Sequence, residues 1–166
     1  MPGHWNTVSV TMAKAIRPVF DDNGDLTALP NFAGLTPTLT TLDPQVNFPA
    51  TNAAWTVTVG GASQALGTGF VEQYAARHTG YIRIDTAGSY TFYLESDDGS
   101  KLFIDNAQLI DNSQRHAMTE LSATTTLSVG WHQIRTEYFE ARGQQGLLLS
   151  YAGPGITKRV IPSAVL

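Results

Sequence analysis

The chain has 166 residues, 42% hydrophobic and 14% charged, which is enough apolar material for one well-buried domain and too little length for two. Ten Lys and Arg stand against fourteen Asp and Glu, for a formal charge of −4, and the scattered cations exclude the clustered basic patch that a nucleic-acid surface needs. With no cysteine, a disulfide framework and thiolate-ligated zinc are excluded as well.

Residues 1–14 lack the basic start and apolar centre of a signal peptide, and no apolar run approaches the roughly 18–20 residues of a membrane-spanning helix, so no membrane insertion is expected. That segment reads as an N-terminal arm or an edge strand. From there, short runs rich in Val, Ile, Thr, Tyr and Phe recur between Gly, Pro, Asn and Asp, and few stretches carry helical periodicity. Strands are predicted at Ala15–Phe20, Thr38–Leu42 and Ala54–Val59, and a glycine-marked loop at about 60–69. Phe70–Ala76 and Thr79–Asp85 follow as two further strands. In Ser89–Leu94, Tyr90, Phe92 and Leu94 share one face and Ser89, Thr91 and Tyr93 the other, the alternation of a half-buried strand. Lys101–Asp105 and Gln108–Ile110 read as a hairpin turning at Asn106-Ala107. Ala123–Val129, His132–Glu140, Leu147–Ala152 and Arg159–Ile161 complete the series. Ten to twelve short strands cannot each hide a face in one open sheet, so the expected fold is all-β: a two-sheet antiparallel β-sandwich of jelly-roll type, one domain over 1–166.

Between Leu94 and Lys101 lies Glu95-Ser96-Asp97-Asp98-Gly99-Ser100, read as a tight acidic turn between two strands. Ca²⁺ takes six to eight oxygen ligands at roughly 2.3–2.6 Å, so Asp97 and Asp98 make a nucleus for such an ion and another loop must add to it. Glu140–Gly146 is the candidate, with the amide oxygens of Gln144 and Gln145 as neutral donors. As a bare turn, Asp-Asp-Gly also reads as an ordinary capped hairpin. The cluster Asp21-Asp22-Asn23-Gly24-Asp25 imitates the first half of an EF-hand loop but carries Leu26 at the sixth position and Phe32 at the twelfth, and reads as a turn. His4, His78, His116 and His132 show no metal-ligand spacing. No Gly-x-Ser-x-Gly elbow or phosphate loop is present, and consecutive carboxylates point apart where a glycosidase pair must converge, so no enzyme is expected.

The segments Pro30-Asn31-Phe32, Asp43–Phe48, His78–Ile82, Gly88–Ser100, Leu102–Asp105, Gly130-Trp131-His132, Glu137–Glu140 and Leu147–Ser150 together resemble the protective-antigen fourteen-kilodalton domain family, over roughly residues 15–166. The resemblance implies a β-sandwich. In sugar-binding members it implies a cis peptide joining Asp97 and Asp98, a Ca²⁺ held by both, and two glycan hydroxyls on the ion. The family's second calcium loop maps onto Glu140–Gly146, where yeast adhesins use an Asn; those members also carry disulfides, so this chain looks closer to the bacterial type. The resulting expectation is a calcium-dependent carbohydrate-binding, lectin- or adhesin-like module: a monomeric part of a larger secreted or cell-surface protein, with glycans as partners. Its metal ligands are Asp97, Asp98, Gln144 and Gln145, and Arg115, His116, Arg142 and Gln144 contact the sugar. A non-lectin spacer and an accessory domain of a glycoside hydrolase are the alternatives.

Overall fold

The structure is a computed structural model and describes residues 8–14, 25–59, 62–65 and 70–166. The predicted strand Ala15–Phe20 and residues 21–24 of the second acidic cluster lie outside the described residues. Among those described, eleven strands form two antiparallel sheets, as the alternation predicts, with a separate two-stranded ribbon. The six-stranded sheet runs β2(Leu39–Asp43), β1(Val8–Lys14), β6(Tyr74–Ile84), β11(Gly130–Glu140), β8(Ser100–Ile104), β9(Ala107–Asn112). The five-stranded sheet runs β10(Thr119–Leu127), β7(Gly88–Asp97), β12(Gln145–Gly153), β13(Ile156–Val160), with β3(Asn47–Thr51) also on β12. The ribbon is β4(Thr56–Val59) with β5(Ala62–Ala65).

The core lies between the sheets. Tyr90, Phe92 and Leu94 of β7 and Leu147, Leu149 and Tyr151 of β12 face Ile82, Ile84, Leu102, Ile104, Ile134 and Tyr138 of the other sheet, all buried. Each fully buried aliphatic or Phe side chain contributes roughly 1.5–3 kcal/mol relative to exposure, so this interface dominates the fold's stability. Toward one end the core turns aromatic: Phe48 stacks on Trp55 at 4.4 Å, and Trp55 lies 5.0 Å from Tyr138 and edge-on to Tyr74 at 5.9 Å. A smaller cluster of Leu26, Phe32, Ala75, Phe139 and Ala141 covers the outer face of β11 at that same end. The inside-outside alternation of β11 therefore stops there, and Tyr138, Phe139 and Glu140 are all buried.

Several boundaries differ from the sequence reading. Phe70–Ala76 and Thr79–Asp85 are replaced by the single eleven-residue β6, which pairs with β11 without a register shift from Gly130↔Ile84 to Glu140↔Tyr74. The gap between the two predicted strands, Arg77-His78, is closed because buried His78 faces Thr136 across the pair. β1 pairs with both β2 and β6, an interior strand where an arm or edge was expected. Residues 62–65, predicted as loop, pair with β4. Pro49 hid β3, which among the described residues takes only β12 as a partner and so tolerates the missing N–H. The β8–β9 turn falls on Asp105 and Asn106, with φ of 49° and 65°, one residue earlier than expected; left-handed backbone at both positions is the signature of a type I′ hairpin. The largest correction concerns Asp97-Asp98-Gly99. β7 and β8 belong to different sheets, so this segment is the crossover between them and not the tip of a hairpin.

Candidate metal and ligand site

The crossover forms where the chain leaves β7 with Asp97 and enters β8 at Ser100. The Asp97–Asp98 peptide is cis. Ser96 and Ser100, both fully buried, share a hydrogen bond of 2.6 Å, and Asn112 Nδ2, which donates to Thr119 O at 2.9 Å, also lies 3.4 Å from Ser96 Oγ. Gly99 is required by space: a Cβ there would stand 2.4 Å from Phe139 Cε1 and 2.8 Å from Ser113 O. Its carbonyl accepts from Phe139 N at 2.9 Å, so the end of β11 is stitched directly to the crossover.

This stitching brings three carboxylates together. Asp97, Asp98 and Glu140 each present an oxygen within 4.8 Å of the others, and all three residues are buried. Asp98 Oδ2 accepts from Ala141 N at 2.8 Å. Tyr138 Oη lies 2.6 Å from Asp97 O and 3.0 Å from Glu140 Oε2. One hydroxyl proton cannot serve both, and a neutral Glu140 resolves the count by donating to Tyr138 while Tyr138 donates to the carbonyl. The electrostatics agree: burial, then the neighbouring Asp98 charge, pushes the Glu140 carboxyl up to about 9. Burial followed by the Asp98 charge raises Asp97; burial raises Asp98, opposed by the Ala141 N–H and the Arg115 guanidinium. Glu140 Oε1 is buried with no hydrogen-bond partner. Converging carboxylates, all three raised by burial and Asp97 and Glu140 also by a neighbouring charge, with one orphaned oxygen among them, form a hard-oxygen donor set suited to a divalent cation.

The structure distributes the remaining predicted site residues differently. Gln145 is fully buried, its Oε1 accepting from Tyr74 Oη and its Nε2 donating to Ala53 O at 2.6 Å, so its amide braces the loop. Gln144 is exposed. Arg142, also exposed, follows Ala141 and donates through Nε to Asp25 Oδ1, while Arg115 Nη2 lies 3.7 Å from Asp25 Oδ2. His116 is held in its own loop, its ring nitrogens 2.9 Å from Ala117 O and 3.0 Å from Asn112 O. Asp25 is thus a buried anchor for two arginines beside the carboxylate cluster.

Glu140 was absent from the predicted ligands, although the signal was present. Ile134, Thr136, Tyr138 and Glu140 share the inward face by period 2, and an acid on a core-facing position is almost never buried without a partner.

A second polar group joins Asp105, His132 and Ser128. His132 Nδ1 lies 2.6 Å from Asp105 Oδ2 and Nε2 lies 2.9 Å from Ser128 O, with Ser128 Oγ at 3.5 Å. Both ring nitrogens face acceptors, and the Asp105 hydrogen bond raises the imidazole above its ordinary value. The group clamps two turns and leaves no nitrogen to act as a base toward Ser128.

The family model of the PA14 domain matches residues 31–164. The chain belongs to the PA14 family. The anti-sigma-I factor RsgI3 of Acetivibrio thermocellus is 31% identical over 96 residues, 57% of this chain and 15% of that protein. Among solved structures, an anti-sigma factor domain-containing protein superposes with a TM-score of 0.70 at 21% identity, covering 96% of this chain and 47% of that one. The PA14 sugar-binding domain from an RTX adhesin does so with 0.72 at 14% identity, covering 95% of this chain and 96% of that one. The chain spans less than half the length of the anti-sigma proteins it matches. Among the described residues no helix is long and apolar enough to cross a membrane.

Proposed function

We propose that this PA14 domain is a calcium-dependent glycan-binding module that binds without catalysis, in an extracellular or cell-surface part of a larger protein. The observation that supports this reading best is the convergence of the buried Asp97, Asp98 and Glu140 carboxylates, one of whose oxygens, Glu140 Oε1, has no hydrogen-bond partner. Those three residues would hold the ion, which would supply coordination positions for two neighbouring sugar hydroxyls. The protein's own part is to fix the donors. Tyr138 holds Glu140 and the Asp97 carbonyl, and the Ala141 N–H orients Asp98. Arg115 and Arg142, tethered to Asp25, together with His116 and exposed Gln144, would supply donors for the remaining hydroxyls. A shallow site of this kind binds a single sugar with a Kd of roughly millimolar to micromolar, and multivalency in a parent protein would strengthen it.

Calorimetric titration of the EDTA-treated chain with Ca²⁺, followed by glycan-array binding with and without chelator, tests the reading. Saturable calcium uptake and chelator-sensitive glycan binding are expected. Glycan binding that survives EDTA rejects the mechanism, and calcium-dependent melting without any sugar response favours a structural spacer.

The anti-sigma relatives favour a second reading of the same site, in which glycan binding is the input of a longer regulatory protein. In that case the sugars bound by the isolated module would be those that alter the parent's activity.

A further inference from the structure

A sheet that ends in a free strand exposes unpaired N–H and C=O groups, and proteins blunt such edges with proline, charge, breaks in register or a covering element. Among the described residues the two sheets end in β2, β3, β9, β10 and β13. Four of these are blunted. β2 lies against β4, Pro49 interrupts β3, β9 carries Asp111 and a register shift against β8, and β13 carries Lys158 and Arg159. β10 has none of these devices. Its nine residues include no Pro or Gly and one charge, Glu120, and they pair with β7 without a register shift from Thr119↔Ser96 to Leu127↔Gly88. Six of them are exposed, among them Leu121 at 42%.

Every second residue of β10 turns its N–H and C=O away from β7, because an antiparallel strand bonds its two neighbours alternately. An added strand completes that ladder, and three properties fit it to a second copy of β10 itself. Antiparallel pairing about a two-fold axis at Ala123 overlaps all nine residues, from Thr119 opposite Leu127 onward, and sets the strand's smallest side chain on the axis. The charges are compatible. Glu120 is already neutralised by Lys158 of its own chain at 2.6 and 2.7 Å, and the pairing places it opposite Thr126, about 20 Å along the strand from the other Glu120. Side chains match on both faces as well. Ser122 comes opposite Thr124, extending the hydroxyl contact that Thr124 makes with Thr91 at 2.8 Å, while exposed Leu121 gains Ala123 and Leu127 of the second copy as diagonal neighbours.

We propose that β10 pairs with β10 of a second copy about a two-fold axis at Ala123, joining two five-stranded sheets into one continuous sheet, in place of the monomer expected from the sequence. The crossover adjoins the Thr119 end of β10, since Thr119 pairs with Ser96 beside Asp97, and Leu127 marks the far end. Antiparallel pairing therefore sets the two crossovers at opposite ends of a strand pair roughly 30 Å long. Combined with the glycan reading above, such a dimer would bridge two glycan-bearing surfaces; that corollary rests on the reading, and the pairing does not.

The test is sedimentation equilibrium of the whole chain, in EDTA and again in Ca²⁺, at up to about 1 mM so that weak association registers. A monomer–dimer equilibrium is expected in both. Ser122→Lys with Thr124→Lys, and Ser122→Glu with Thr124→Glu, each set like charges directly opposite across the axis, so each double variant should dimerise at least roughly tenfold more weakly. Mixing the two should restore association as a one-to-one heterodimer. Both positions are exposed, and circular dichroism with thermal melting checks that the variants fold. A chain that stays monomeric overturns the proposal and leaves the edge to a foreign strand. A dimer that neither double variant weakens lies on another face and overturns it too, as does a mixture of folded variants that fails to associate. Loss of calcium uptake would sink the crossover site and leave the dimer untouched.

Discussion

His78 offers a sharp test of how the core is built. It is 1% exposed, hydrogen-bonded through Nδ1 to Thr136 Oγ1 at 3.0 Å and packed 5.7 Å from the Phe48 ring, while Nε2 has no partner. Burial pushes the imidazole down to about 3, so it is neutral in the folded protein at every ordinary pH. The unfolded chain's histidine titrates near 6.5, so between about 6.5 and 3 the unfolded state binds a proton that the native state refuses. Stability must fall as pH drops through that window, by about 1.4 kcal/mol per unit once well below 6.5. Between pH 7 and pH 5 the loss from this one residue is about 2 kcal/mol. Glu140, raised to about 9, pulls the other way, because there the native state holds the extra proton. The wild-type slope is therefore a sum, and a difference isolates the histidine. Urea unfolding of wild type and His78→Gln at both pH values, in EDTA, supplies it. The stability advantage of wild type over the variant should shrink by about 2 kcal/mol on going to pH 5. An advantage that changes by less than about 0.5 kcal/mol would mean that the histidine protonates inside the folded protein, and the argument from burial would fail.

Three further outcomes follow from the same geometry. Gly99→Ala forces a methyl group to 2.4 Å from the Phe139 ring and should cost about 1–3 kcal/mol in chemical denaturation, with the loss extending to calcium affinity because the crossover itself must shift. Glu140→Gln keeps the shape and removes a carboxylate, so the metal-free protein should unfold at an equal or higher temperature while calcium affinity measured by calorimetry falls at least tenfold. The Asp105–His132 clamp has the opposite pH sense to His78. Its stabilisation is complete below the unfolded histidine's value and lost as pH rises through the elevated folded one, so Asp105→Asn should flatten the decline in melting temperature just above pH 6.5.

The sandwich was legible because one face of each long strand is apolar at period 2: Tyr90, Phe92 and Leu94 announce β7 without any tertiary information. What failed was local chemistry that only a partner strand explains. His78 looked like a break because a histidine in a strand gives no sign that Thr136 will meet it. Asp97 and Asp98 were legible as residues and misread as a hairpin tip, since an acidic turn between two apolar runs has the same local pattern whether the strands pair with each other or part into two sheets. Gln145 was a reasonable oxygen donor by type, but a buried amide is claimed by the nearest unsatisfied groups, and here these are Tyr74 and the Ala53 carbonyl.

That crossover also explains why the carboxylates converge at all. In a hairpin, successive side chains alternate faces and neighbouring acids diverge. Where a strand leaves one sheet for the other, the chain must pass through the mouth of the sandwich, and inward-facing positions from both layers meet there. Glu140 arrives from the inward face of β11 and Asp97 from the end of β7, while Asp98 is turned toward them by the Ala141 N–H. Tyr138 and Tyr74, both buried beside Glu140, help keep water from the cluster, and burial is the first cause of the rise in all three acids. A bound divalent cation would convert this repulsion into attraction across the same low-dielectric gap, so the buried position that destabilises three acids is also what would make a cation there count most.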